Sequence, residues 1–293
     1  MNEAKGLPKF MIHAAFIIFC LFCATPLVIV ISASLTDELA IVRNGFGIYP
    51  ENFSTKAYEF IFNQGKALYQ AYGVTILVTA AGTLLSIAMI SLTGYTLSRK
   101  SFKYRSQLSF YIYFTMLFSG GMIPSYILVT KYLNMGDTIW VLFVPMLISP
   151  WYIFLMRRFM SDIPEALTES AKIDGASEYR IFLNIILPMS KPAVAALSLM
   201  LALGYWNNWW LSLLYIENDK LSSLQYLLYR IMSNVQAMQE AQTNQISISQ
   251  GQSLPEMSLR MAMCVLAAGP ALFVFPFFQK YFVKGLAVGA VKE

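Results

Sequence analysis

Six apolar stretches dominate this chain, read as Phe10–Ser34, Tyr69–Leu97, Leu108–Leu133, Thr138–Leu155, Ala193–Ile216 and Met257–Val283. Each is long enough to cross the roughly 30 Å of hydrocarbon in a bilayer. No water inside lipid satisfies a bare N–H or C=O, so a spanning segment must close its own hydrogen bonds. Runs of this length do so as helices. The expected fold is all-α, a polytopic membrane protein with six transmembrane helices. Composition agrees, with 57% hydrophobic and 13% charged residues, where a soluble domain carries about a quarter charged. The first stretch is longer than the apolar core of a signal peptide and shows no small-residue cleavage site, so it is read as a span.

Six spans put both termini on one side. That side holds fourteen of the 21 Lys and Arg residues, and seven of them lie opposite. The positive-inside rule then places both termini in the cytoplasm. The +5 net charge is a topology signal rather than a nucleic-acid footprint, since no basic stripe is interleaved with exposed aromatics. Cys20, Cys23 and Cys264 fall inside spans and read as small buried hydrophobes. The single histidine, His13, sits at a helix end, which leaves little room for a histidine-based metal site, triad or general base. There is no phosphate-cradling G-x-x-x-x-G-K-[ST] loop either, so any nucleotide chemistry belongs to another molecule.

The most unusual soluble piece is the inner connection 157–192, between spans four and five. Asp162 is expected to cap a helix opened by Pro164, with Glu165 and Glu169 near its positive end and Lys172 near its negative end. Gly175 marks a turn, Ser177 the cap of a second helix through Ile181, Ile185 and Ile186, and Pro188 and Pro192 its end. A capped hairpin wedged between spans is a handle for something outside the bilayer.

The same residues resemble a family. Glu169, Ser170 and Ala171 stand where binding-protein-dependent ABC importer permeases carry E-A-A, followed by Asp174, Gly175, Ala176, Ile185 and the Leu187-Pro188 pair. Ser98-Arg99, Leu133–Thr138 and Tyr205-Trp206-Asn207 extend the likeness. It implies the type I ABC importer permease fold, in which such a cytoplasmic coupling-helix hairpin sits in a cleft of an ATPase subunit. Glu165, Glu169, Ser170, Ala171, Asp174, Gly175 and Ala176 would then be the ATPase-coupling residues. The tail Tyr281–Glu293, with residues 284–293 as its cytoplasmic part, resembles that of maltose-type permeases, where it reaches towards the ATPase dimer interface; from the residues alone it is equally a frayed terminus.

The remaining connections are less distinctive. Outer loop 35–66 contains a short amphipathic helix, Thr55–Phe62, with Tyr58, Ile61 and Phe62 on one face. Inner loop 98–107 is short and basic, a plain anchor. Span three is interrupted by Ser119-Gly120-Gly121 and Pro124, as a cavity-lining break or as a packing kink. Outer loop 217–256 starts with a helix, Leu221–Met238, whose Leu224, Leu227, Leu228, Ile231 and Val235 share a face. It either meets an external protein or caps its own bundle.

Sugars stack CH faces on aromatic rings and need hydrogen bonds for their hydroxyls. Tyr205, Trp206, Asn207 and Asn208 offer both kinds of group and are the candidate substrate path, whereas Trp209 and Trp210 read as interfacial anchors. The first outer loop and the tail resemble permeases for oligosaccharides of complex polysaccharides, including uronate oligomers such as alginate fragments. No basic residue lies deep in a span, so a cargo carboxylate would be met by backbone groups, Asn side chains or a second permease.

The resemblance therefore implies a single permease domain, one subunit of an ATP-driven oligosaccharide importer in a bacterial cytoplasmic (inner) membrane. Its partners would be a second homologous permease, two ATPase subunits, an extracytoplasmic solute-binding protein and membrane lipid. It would hold no cofactor itself, with ATP and Mg bound by the ATPases, and would perform no catalysis. Two alternatives stay open: a permease of the same superfamily for amino acids or peptides, and, remotely, a membrane-embedded transferase.

Overall fold

The computed structural model describes residues 6–63, 65–244 and 255–289. The described residues form helices and loops, with one isolated bridge between Thr36 and Phe53. They divide into two compact units, one of residues 1–68 and 228–270, the other of residues 69–227 and 271–293.

The first unit contains α1 (Gly6–Ser34), α2 (Glu38–Asn44), α3 (Lys56–Phe62) and parts of α13 (Leu224–Asn244) and α14 (Glu256–Gly289). None of the apolar window of α1 is buried within the chain, and Phe16, Phe19 and Phe22 all face outward. Such a surface is stable against lipid or another subunit, not against water. Cys20, Cys23 and Cys264, expected to be buried, are exposed for the same reason: an apolar span sequence does not say which face a neighbour covers. In α3, Ala57 and Ile61 are buried and Tyr58 hydrogen-bonds Ser34 at 2.9 Å, but Phe62 points outward. Glu38 caps α14, accepting from the backbone N–H groups of Met257 and Ser258 at 2.9 Å each. A carboxylate there satisfies orphan donors and opposes the helix dipole. The anticipated apolar face of α13 is real, with Leu224, Leu227, Leu228, Ile231 and Val235 all buried. The second half of outer loop 217–256 includes residues 245–254, outside the described ones.

The second unit is built around α4 (Lys66–Ser98), with α1 one of two continuous helices among the described residues that are long and apolar enough to span a membrane. Three further stretches pass that test only as bent pairs. Arg105–Leu117 (α5) and Met122–Tyr132 meet at 114°, Ile139–Met146 and Pro150–Ser161 (α7) at 52°, and Glu178–Met189 and Lys191–Trp206 (α11) at 80°. The described residues thus supply two to five candidate spans by length and composition. The sixth expected stretch lies within α14, which runs unbroken through Gly289 and so takes in most of the expected tail; residues 290–293 lie outside the described ones.

The interruption expected in span three falls at Phe118–Gly121, where Gly121 adopts φ +87°, and the 114° turn is far more than a kink. Span four starts as two short 3-10 turns and continues in α7 past Leu155 to Ser161, so Arg157 and Arg158 belong to the helix rather than to the hairpin. Span five is cut at Asn207–Trp209, after which α12 (Trp210–Tyr215) resumes. The sixteen residues of α11 cover about 24 Å at about 1.5 Å per residue, short of the hydrocarbon thickness. Ile90, Leu97, Met156, Met160, Ile181 and Ile186 form a core where α4, α7 and the hairpin converge.

Candidate functional site

The hairpin takes the expected form with two corrections, the cap of its first arm and the end of its second, where Pro188 and Pro192 each stand in the first turn of a following helix, the position that suits proline, instead of stopping the arm. Its first arm, α8, runs Ala166–Ile173 and is not capped by Asp162, which instead ends α7 and pairs with Arg158 at 3.3 Å. An aspartate one turn after an arginine finds that side chain before it finds a free N–H. The turn is a Schellman closure: Ala176 N–H donates to the Ala171 carbonyl at 2.9 Å and Gly175 N–H to that of Lys172 at 3.0 Å. Gly175 sits at φ +76°, the left-handed conformation only glycine takes without cost. Ser177 caps the second arm, α9 (Glu178–Ile181), accepting from Arg180 N–H at 3.3 Å. A π-turn over Phe182–Ile186 and the short α10 (Leu187–Met189) lead into α11.

The seven expected coupling residues divide by environment. Glu169, Ser170, Asp174 and Gly175 are exposed at the hairpin tip. Ala171 and Ala176 are half-buried against the chain's own core, so their small size serves internal packing. Glu165 is exposed but pairs with Lys100 at 2.9 Å, and this hydrogen bond holds its carboxyl below the usual range. Sequence reasoning missed Ile173, 87% exposed, and Tyr179, 68% exposed, which add apolar surface to the tip. The available signal was an isoleucine between Lys172 and Asp174 on the helix's last turn.

Loop 98–107, read as a plain anchor, does more. Arg99 donates to Thr168 Oγ1 at 3.2 Å and lies 4.8 Å over the Tyr95 ring, while Tyr95 donates to Glu178 Oε2 at 2.6 Å. Lys172 meets Glu178 Oε1 at 2.6 Å, joining the two arms. The hydrogen bonds from Lys172 and then Tyr95 keep the Glu178 carboxyl below its ordinary value. Basic side chains after a span look like topology anchors until their partners are known.

Of the four candidate path residues, Tyr205 and Trp206 end α11, and Asn207 and Asn208 lie in the cut of span five. Tyr205 is 2% exposed; its hydroxyl bonds Ser86 Oγ at 2.8 Å and the Phe143 carbonyl at 3.4 Å. Trp206 is buried too. Asn208 bridges the break, its Oδ1 accepting from Leu211 N–H at 3.0 Å and its Nδ2 reaching Met146 Sδ at 3.0 Å. Asn207 alone is exposed, its amide turned onto the Leu203 carbonyl at 2.9 Å. Trp209 and Trp210 stack edge to face at 5.6 Å. The polar groups therefore mend an interrupted helix.

A helical chain with bent spans and an outward hairpin is the build of a transport subunit, and comparison with known proteins agrees. Residues 86–288 match the family described as binding-protein-dependent transport system inner membrane component, and the chain belongs to that family. It is 38% identical to the polygalacturonan/rhamnogalacturonan transport system permease protein YtcP of Bacillus subtilis, over 96% of this chain and 97% of that one. It is 37% identical to protein LplC of the same organism, over 91% and 88%. Among solved structures it resembles a chain of a bacterial ABC transporter involved in the import of the acidic polysaccharide alginate, with TM-score 0.77 and 25% identity, covering 96% of this chain and 99% of that one. The chain is thus an integral membrane permease subunit.

Proposed function

We propose that this permease subunit imports oligosaccharides, with uronate-containing fragments as the preferred cargo, by ATP-driven alternating access. The observation that carries the mechanism is the hairpin tip, where Glu169, Asp174 and Ile173 stand exposed on a scaffold held from behind by its own chain. Acidic and apolar groups on a small, stiff knob fit a basic-rimmed cleft of an ATPase subunit. The cargo class follows from the relatives, one named for polygalacturonan and rhamnogalacturonan and one for alginate.

In this reading six spans cross the membrane with both termini in the cytoplasm, α14 being the sixth. A second homologous permease completes the path, two ATPase subunits bind ATP and Mg and grip the hairpins, and an extracytoplasmic binding protein delivers cargo. Broken helices in transporters gather around the substrate path, which favours the Asn207–Trp209 cut as its lining. Asn207 offers its amide to sugar hydroxyls, and Tyr205, Trp206 and Asn208 shape the wall behind it.

Uptake assays test the cargo. Cells lacking this chain should lose accumulation of labelled oligogalacturonides and regain it when the chain is restored, with amino-acid uptake unchanged. Loss of amino-acid or peptide uptake alone would overturn the carbohydrate reading.

A further inference from the structure

We propose that Tyr95 is a positioning residue of the transport cycle, fastening the hairpin to the end of α4 so that the two move as one body. This goes beyond docking, though it rests on the reading that an ATPase subunit grips the hairpin. The expected route for that pull is direct, along the hairpin into the spans on either side of it, α7 and α11. The side chains describe a second route.

Tyr95 is 7% exposed, and its hydroxyl donates to Glu178 on the second arm at 2.6 Å. Glu178 in turn holds Lys172 on the first arm at 2.6 Å, so a single carboxylate ties both arms to α4. The Tyr95 ring packs against Phe182 with centroids 5.2 Å apart, and Arg99 lies 4.8 Å over the ring while reaching buried Thr168. Lys100–Glu165 adds a peripheral tie. The Tyr95–Phe182 ring contact and a chain of charge-assisted hydrogen bonds resist both sliding and rotation, which a lone surface ion pair would not.

The far end of the lever is also visible. Gly82 and Ser86, about three turns earlier on α4, touch Tyr205 just before the cut that follows α11. Displacing the hairpin would therefore move α4 and act on the Asn207–Trp209 break from a second side. Tyr95 makes that transmission stiff.

The test uses the complete transporter, this chain with its co-purified subunits, in nanodiscs. Spin labels are attached at Leu92→Cys on α4 and Asn184→Cys on the hairpin, with Cys20, Cys23 and Cys264 replaced by Ser. The interlabel distance should stay constant between nucleotide-free and ADP-vanadate-trapped states. In Tyr95→Phe, which keeps the ring and removes the hydroxyl, a second distance should appear on trapping. Uptake of oligogalacturonide per ATP hydrolysed should fall about ten-fold, as for one lost hydrogen bond to a charged group. Glu178→Gln should give the same loss, and the double variant no more than either alone. A merely structural Tyr95 would lower the yield of complex and leave uptake per ATP unchanged, and that result overturns the proposal. If ATPase subunits co-purify but the distance changes equally with and without Tyr95, the clamp is wrong and docking stands. If no ATPase subunit co-purifies with the unmodified chain, both readings fall.

Discussion

The ring of Tyr205 lies against the bare backbone of Gly82, so close that a Cβ there would sit 2.7 Å from the ring carbons. The ring cannot step aside, because its hydroxyl is held by Ser86 and the Phe143 carbonyl. Helix α4 and the helix before the cut in span five are thus keyed together at one point. A similar approach recurs at Gly94, where a Cβ would sit 2.9 Å from Met156.

Gly82→Ala should therefore overpack this contact and destabilise the protein by about 1–3 kcal/mol. Thermal unfolding of the detergent-solubilised subunit checks it. Adding Tyr205→Leu should recover much of the loss, whereas Tyr205→Phe, which keeps the ring but frees it from its two hydroxyl anchors, should recover only part.

Gly175 has open space around it but a backbone only glycine favours, at φ +76°. Gly175→Ala should cost about 1–2 kcal/mol through conformation alone, with Gly175→Asn milder. Both act at the turn that sets the angle between the arms, so uptake should drop in the same order, Ala below Asn below the unmodified chain.

Asp137 also stands in the left-handed region, at φ +54°, and its Oδ1 accepts from the backbone N–H groups of Glu217 at 3.1 Å and Asn218 at 2.8 Å. Asparagine tolerates that backbone and keeps an acceptor. Asp137→Asn should be nearly neutral, and Asp137→Ala should lower stability by about 1–2 kcal/mol, measured by the same unfolding assay.

Glu178 gives a pH dependence of known sign. Its folded carboxyl titrates below the ordinary 4.5, because Lys172 and Tyr95 hydrogen-bond the charged form and Arg99 adds to this. Such a group stabilises the fold above its unfolded value, and the contribution vanishes as pH falls through the folded value. The stability difference between the unmodified chain and Glu178→Gln should be flat from about pH 8 to about 6 and shrink towards zero below about 4. The side chain is 53% exposed, so the plateau should stay below about 1 kcal/mol.

Much of this was legible in the sequence, for identifiable reasons. Ser177 and Gly175 were readable because capping and left-handed turns depend on one residue's own chemistry. The buried face of α13 was readable because helical periodicity is local. The break in span three was readable from Ser119-Gly120-Gly121, but its 114° angle was not, since direction depends on neighbours. Tyr95, Arg99 and Lys100 were hidden because their partners lie some 65 to 83 positions away. The cut at Asn207 was hidden because Tyr-Trp-Asn-Asn reads as equipment for cargo, whereas Asn208 is occupied in bridging a helix end.

Coupling as proposed requires the hairpin tip to meet a nucleotide-hydrolysing subunit. Glu169→Cys or Asp174→Cys, introduced one at a time into a chain lacking Cys20, Cys23 and Cys264 and labelled with a maleimide-benzophenone, allows a direct measurement of that contact by photocrosslinking in native membranes. A crosslinked band containing an ATPase subunit, absent when the cysteine is moved to Asn184 in the π-turn beyond the second arm, is the expected result. If neither tip cysteine ever traps an ATPase subunit in the assembled complex, while the complex still hydrolyses ATP, the hairpin is not the point at which work enters this chain.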